Sequence, residues 1–270
     1  MNLSIDQLES RANTIRRKIL QMVHSAGCGH PGGPLGLADI FTVLFMNILR
    51  LDPKQATAPA RDRFILSNGH VSAVLYAAMQ ERGFWPDLDI MSFRSLGSPF
   101  QGHPSTRYLE GIENCSGSLG QGLSVASGLS LGLKQQGQAA RVFCCISDGE
   151  CGEGMTWEAA TAAAHYKAPV IAFMDWNGIQ IDGYTRDVCH LGDLPARFQA
   201  LGWQCSTVDG HDIQAIQTSL LAARSNTSGP QIIFFQTTLG KGISFMENQP
   251  GWHGKAPNDA EMQSALAELV

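Results

Sequence analysis

The sequence predicts an α/β fold, a three-layer sandwich with a mostly parallel central sheet and helices on both faces. Three observations carry that prediction. Two apolar runs, Val142-Phe143-Cys144-Cys145-Ile146 and Val170-Ile171-Ala172-Phe173-Met174, have the length and β-branched content of buried strands. Between them, Thr156 to Lys167 is rich in alanine, free of internal Gly or Pro, and followed by Pro169, the make-up of a crossover helix. Each strand runs into a polar turn, Ser147-Asp148-Gly149-Glu150 after the first and Asp175-Trp176-Asn177-Gly178 after the second. If the strands are parallel, both turns fall on one rim of the sheet, so that Asp148 and Asn177 can converge on one bound ion.

The remaining elements follow in order. Leu3 to Val23 carries apolar residues at near-helical spacing and predicts a first helix, ended by the Gly- and Pro-rich segment from Ser25 to Gly33. Leu35 to Leu49 reads as a second, strongly apolar helix. Arg61 to Ser67 reads as a strand running into Asn68-Gly69-His70, and Val71 to Arg82 as the helix after it. Phe93 to Pro104 is irregular and holds His103. The turn from Gly117 to Gly122 opens a small-residue helix, Leu123 to Gln136. Beyond the acidic unit, Trp203 to Val208 and Gln231 to Gln236 are strands with a helix, Ile213 to Arg224, between them. Thr237 to Val270 contains Gly251-Trp252-His253-Gly254 and a short amphipathic helix. No repeat, low-complexity tract or linker interrupts the chain, so a single domain over residues 1–270 is expected.

Composition narrows the function classes. With 44% hydrophobic and 16% charged residues, the interior is ordinary and the surface weakly charged, which suits coverage by other chains. A net charge of −5 without a Lys/Arg-rich run gives no electrostatic support for nucleic-acid or membrane-surface binding. The N-terminus lacks the apolar core of a signal peptide, and no apolar stretch approaches the roughly 20 residues needed to span a bilayer. The seven scattered cysteines fit reduced thiols in a cytoplasmic protein.

A carboxylate and a carboxamide on one rim form a hard oxygen set. That set suits Mg2+ or Ca2+ holding a phosphate and not zinc. His30, His70, His103 and His253 each sit beside glycine in predicted loops, where close backbone approach is possible and imidazole can bond sugar or phosphate oxygens or carry protons. His24, His165 and His190 read as surface or packing residues, and His211, in Asp209-Gly210-His211-Asp212, as part of a turn and helix cap.

The pairing of Asp-Gly with a later Asn resembles the thiamine diphosphate motif. In order along the chain, SAGCGHPGGPLG, RFILSNGHVSAVLY, QGHPS, GSLGQGLSVASG, SDGECGEGMTWEA, NGIQIDG, VDGHD, TLGKG and GWHG resemble transketolase. The chain departs from the family's usual pattern at Ser147, where glycine is common, and at Ser118, where proline is common. The resemblance implies a thiamine diphosphate-binding fold, specifically its diphosphate-binding domain. It implies that Asp148, Asn177 and the Ile179 carbonyl coordinate Mg2+ (or Ca2+ or Mn2+), and that His70, Gly117, Ser118, Leu119, Gly149, Glu150, Asn177 and His253 contact the cofactor. His30, His103 and His253 would handle protons and donor hydroxyls, and Glu153 matches a glutamate used near the subunit interface, with a capping or salt-bridge role as its other reading.

The pyrimidine-binding domain and its glutamate, which in the family follow this domain, are expected on a partner chain. The resemblance therefore implies the N-terminal subunit of a split transketolase, inactive alone. It would transfer a two-carbon ketol group between sugar phosphates through a thiamine diphosphate carbanion. A C-terminal partner subunit, most simply in an α2β2 heterotetramer, would complete each site. The alternatives are the α subunit of a 2-oxo acid dehydrogenase and a non-catalytic, cofactor-binding paralogue.

Overall fold

The computed structural model describes residues 3–269; residues 1, 2 and 270 at the ends of the expected domain lie outside the described residues. Five strands form one parallel sheet in the order β1-β2-β3-β7-β6: β1 (Arg63–Leu66), β2 (Val142–Ser147), β3 (Ile171–Trp176), β6 (Gln204–Asp209) and β7 (Gln231–Gln236). The register pairs Leu66 with Cys145, Ser147 with Asp175, Trp176 with Gln236 and Gln236 with Asp209, so the carboxyl ends of all five strands form one rim. A two-residue-per-strand hairpin, β4 (Ile179–Gln180) and β5 (Gly183–Tyr184), follows the Asn177 turn.

Helices cover both faces. Alternation within the strands assigns their side chains: in β3, Phe173 packs on one side, and Ala172 and Met174 pack on the other. The Phe173 side is roofed by α1 (Ile5–Ala26), α2 (Gly32–Val43), α3 (Ser72–Arg82) and α8 (Ile213–Ser225), around a cluster in which Phe41 meets Phe64 edge-on at 5.4 Å. The Ala172 side is covered by α4 (Gln121–Gln135), α5 (Gly154–His165) and α7 (Leu194–Ala200), where alanines on α5 let it lie close to the strands. The expected crossover is α5, and it connects β2 to β3. After β5 comes a four-residue helix, α6 (Thr185–Val188), and α9 (Asp259–Glu268) closes the chain.

Two features differ from the sequence reading. The second helix starts at Gly32 and not at Leu35, and ends in a π-turn over Leu44–Ile48. Its glycines permit close approach: a Cβ on Gly36 would lie 2.8 Å from the Thr238 carbonyl oxygen, and one on Gly32 would lie 2.8 Å from that of Trp252. Residues 178–203, left without an element in the sequence reading, contain the hairpin, α6 and α7. With seven residues, of which Leu194 and Phe198 are buried, α7 offers too short a pattern to read.

Candidate functional site

The two polar turns are bonded to each other at the rim. Asp148 opens a 3₁₀ turn over Gly149–Gly152. Its carboxylate accepts the Gly149 amide at 2.9 Å and, across the turns, the Gly178 amide at 2.7 Å, while its own amide donates to the Asp175 carbonyl at 3.2 Å. Asn177 donates through Nδ2 to Asp175 Oδ2 at 3.0 Å and accepts the Ile179 amide on Oδ1 at 2.8 Å. The other Asp175 oxygen accepts the Thr237 hydroxyl. Burial, with the Asp175 charge added to it, pushes the Asp148 carboxyl up to about 7; burial likewise pushes Asp175 to about 6.

Glu150 ties the neighbouring segments together. Fully buried, it accepts the Ser67 hydroxyl, the Gly120 amide at 2.6 Å and the Ser147 amide at 3.3 Å, and Ser67 in turn accepts the Gly122 amide at 2.9 Å. Burial raises its pKa. Its carboxylate is thus committed to the protein: the residue expected to contact cofactor lines the cavity but uses its side chain to join β1, β2 and the start of α4. A Cβ on Gly122 would come within 2.6 Å of Ser67 Cα, which is why α4 needs glycine there.

Above the rim lies a cavity of about 460 Å³. The four glycine-flanked histidines all line it. His30 and His70 are 5.2 Å apart by ring centroid, His30 and His253 5.6 Å, and His70 and His253 5.3 Å. Burial first, then the neighbouring imidazoles and (for His30) Arg94, lowers His30 to about 4 and His70 to about 3. Burial and the Arg94 charge lower His103, and burial lowers His253. All four rings are therefore neutral near pH 7, each with one donor and one acceptor nitrogen. The Nδ1 atoms of His30 and His253 are buried without a partner within the chain, as ring nitrogens facing a bound polar molecule would be.

Not every expected contact is on the cavity wall. Gly117, Leu119, Gly149, Asn177 and Ile179 are, whereas Ser118 is solvent-exposed and Asp148 lines a smaller hollow of about 120 Å³ walled by α6 and the segment after it. Glu153 lines the cavity and makes no capping bond to α5, which it precedes. His24 bonds Asp259 at the surface, and His211 stands apart from the cavity in a buried network.

The sequence reading missed Asp175 and Arg94. Asp175 lies near the end of β3, two residues before Asn177, inside the polar turn that the string already displays. Arg94 has φ of 61° in an irregular segment, and nothing local foretells its proximity to His30 and His103.

The residues fit a divalent cation and a phosphorylated cofactor. Two buried carboxyls in hydrogen-bonded turns, of which only Asp175 is bonded to the Asn177 carboxamide, form a costly arrangement that a hard cation would relieve. Among the described residues, no three His, Cys, Asp or Glu side chains converge as a metal site, so carboxamide, carbonyl and ligand oxygens would have to complete the shell. No helix among the described residues is long and apolar enough to cross a membrane.

The family model for the thiamine diphosphate-binding domain of transketolase matches residues 8–269. The chain is 37% identical to an apulose-4-phosphate transketolase subunit of Actinobacillus succinogenes over 99% of its own length and 98% of the relative's. It is 34% identical to the 6-deoxy-6-sulfo-D-fructose transketolase subunit SqwG of a Clostridium species, covering 97% and 96%. Against the transketolase of Campylobacter jejuni, a solved structure, it superposes with a TM-score of 0.92 at 33% identity, covering 99% of this chain and 43% of that one.

Proposed function

Because the chain belongs to the transketolase family, as its thiamine diphosphate-binding part, we propose that it is one half of a two-chain transketolase that moves a two-carbon ketol group from a ketose to an aldose. The observation that carries this reading is the direct bonding of the Asp148 and Asn177 turns beneath a cavity walled by four neutral histidines.

Thiamine diphosphate, when bound, supplies the electron sink for breaking a carbon–carbon bond beside a carbonyl, which no side chain offers. Asp148, Asn177 and the Ile179 carbonyl would hold Mg2+ (or Ca2+ or Mn2+) against its diphosphate. His70, Gly117, Leu119, Gly149 and His253 would line it, with Glu150 bracing the wall from behind. His30, His103 and His253 bind and orient donor hydroxyls and accept or return protons through their ring nitrogens, as neutral imidazoles can at pH 7.

The names of the two relatives describe a ketose phosphate and a sulfonated ketose. This supports a donor with an anionic terminus. A partner chain carrying the pyrimidine-binding domain and its glutamate would complete each site in an α2β2 assembly in the cytoplasm, with Glu153 at the subunit contact. The two relatives named as transketolase subunits support this, since the match covers 98% and 96% of their own lengths.

Mixing the purified chain with its partner, Mg2+ and thiamine diphosphate tests the reading. Ketol transfer from a ketose phosphate should require both polypeptides. Full turnover by this chain alone, or none from the assembled pair with any ketose phosphate or sulfonate, would contradict it.

A further inference from the structure

Behind the rim, on the α1–α2 side, a buried chain of bonds runs from an ion pair to the Asn177 turn. The His211 ring has Nδ1 2.9 Å from Asp39 Oδ2 and Nε2 2.9 Å from the Thr238 amide nitrogen. A backbone N–H can only donate, so Nε2 is the unprotonated nitrogen and Nδ1–H donates to Asp39, which fixes the tautomer. Asp39, on α2, is held in turn by Arg16 of α1 at 2.5 Å, both side chains being less than a tenth exposed. The segment that His211 grips is close-packed: the Gly240 amide donates to the Gly32 carbonyl at 2.8 Å, and Gly36 leaves room for the Thr238 carbonyl. Next to Thr238, the Thr237 hydroxyl donates to Asp175, whose second oxygen takes the Asn177 amide nitrogen at 3.0 Å. A carboxylate that accepts on both oxygens obliges Asn177 to turn its NH2 inward and its carbonyl oxygen away.

We propose that His211 is a positioning residue for the metal-bearing turn: by accepting the Thr238 amide it sets Thr237 against Asp175, and Asp175 orients the Asn177 carboxamide. This rests on the metal site assigned under the proposed function. A purely structural staple would share the same bonds but would leave metal binding alone, so the two readings separate in one measurement. Partners of this kind behind a metal ligand typically change affinity by about 10–100-fold when removed.

The test is calorimetric titration of Mg2+ and thiamine diphosphate into the chain assembled with its partner, using His211→Leu, Thr237→Val and the double variant. Each single change should raise the Mg2+ concentration for half-maximal cofactor binding about tenfold, with binding restored at saturating Mg2+. The double variant should be no worse than the weaker single, because both cut one path. Thr237→Val is nearly isosteric, so it keeps the test decisive if His211→Leu fails to fold. Unchanged Mg2+ dependence in Thr237→Val, or additive losses in the double variant, would overturn the proposal while leaving the metal site intact. A parent assembly that binds cofactor without any need for Mg2+ would overturn both.

Discussion

A buried aspartate stands just before β1 and another just after β2, at opposite ends of these paired strands, and the chain treats them in opposite ways. At the amino end, Asp62, with no exposed surface, accepts the Arg50 amide at 2.7 Å and the Arg141 amide at 2.9 Å, and pairs with the Arg224 guanidinium at 2.7 and 3.2 Å. At the carboxyl end, Asp148 is 2% exposed, accepts two amides and faces a second carboxylate, Asp175. One acid is neutralised by the fold itself; burial, with the Asp175 charge beside it, pushes the other up to about 7. On the proposed function, the paired acid serves the fold and the unpaired one serves the cation.

Substitution at each end sharpens that contrast. The largest effect is expected for Asp148→Asn, which keeps the shape and removes the charge: Mg2+-dependent cofactor retention in the assembled enzyme should fall by more than about 100-fold, beyond what loss of a supporting residue gives. The melting temperature of the metal-free chain should hold or rise. Retained cofactor at ordinary Mg2+ would break the comparison.

Asp62→Ala should do the reverse. Arg224, 12% exposed at its side chain, would be left without its counter-charge, at a cost of about 3–5 kcal/mol in chemical denaturation. Cofactor affinity per folded molecule should be unchanged. A stable variant with weakened binding would contradict the division of labour.

The smallest effect concerns the histidines above the rim. His70 falls from its ordinary 6.5 to about 3 and His30 to about 4, mainly through burial. Between pH 6.5 and 4 the unfolded chain therefore binds protons that the folded chain refuses, so these rings make stability fall as pH falls. His70→Asn should flatten the melting temperature against pH over that window. An unaltered slope would mean that His70 is not the group responsible.

Much of this architecture was legible in the string. Gln231–Gln236 is a strand with the bounds its apolar run implies, and the alanine-rich segment is the crossover, because unbroken local patterns carry those elements. Asp148, Asn177 and the four histidines could be singled out because turn and glycine-flanked positions are local properties, and the structure brings the histidines onto one cavity above the bonded turns. The inward commitment of Glu150 was not legible, since it depends on Ser67 and Gly120, remote in sequence. Nor was His211, which looked like part of a cap: its partners Asp39 and Thr238 lie on other elements. The helical role of Gly32 was hidden for the same reason, since a glycine-rich string reads as a loop until the segment it must approach is in place.

By itself, then, the sequence determined the layering, the strand-and-turn unit and the inventory of reactive groups, because hydrophobic period and turn chemistry act over a few residues. Only the tertiary structure decided which acids have partners, which imidazoles are held neutral and which glycines are contact points. Desolvation and hydrogen bonding depend on what packs against a group, and most of those neighbours come from distant parts of the chain.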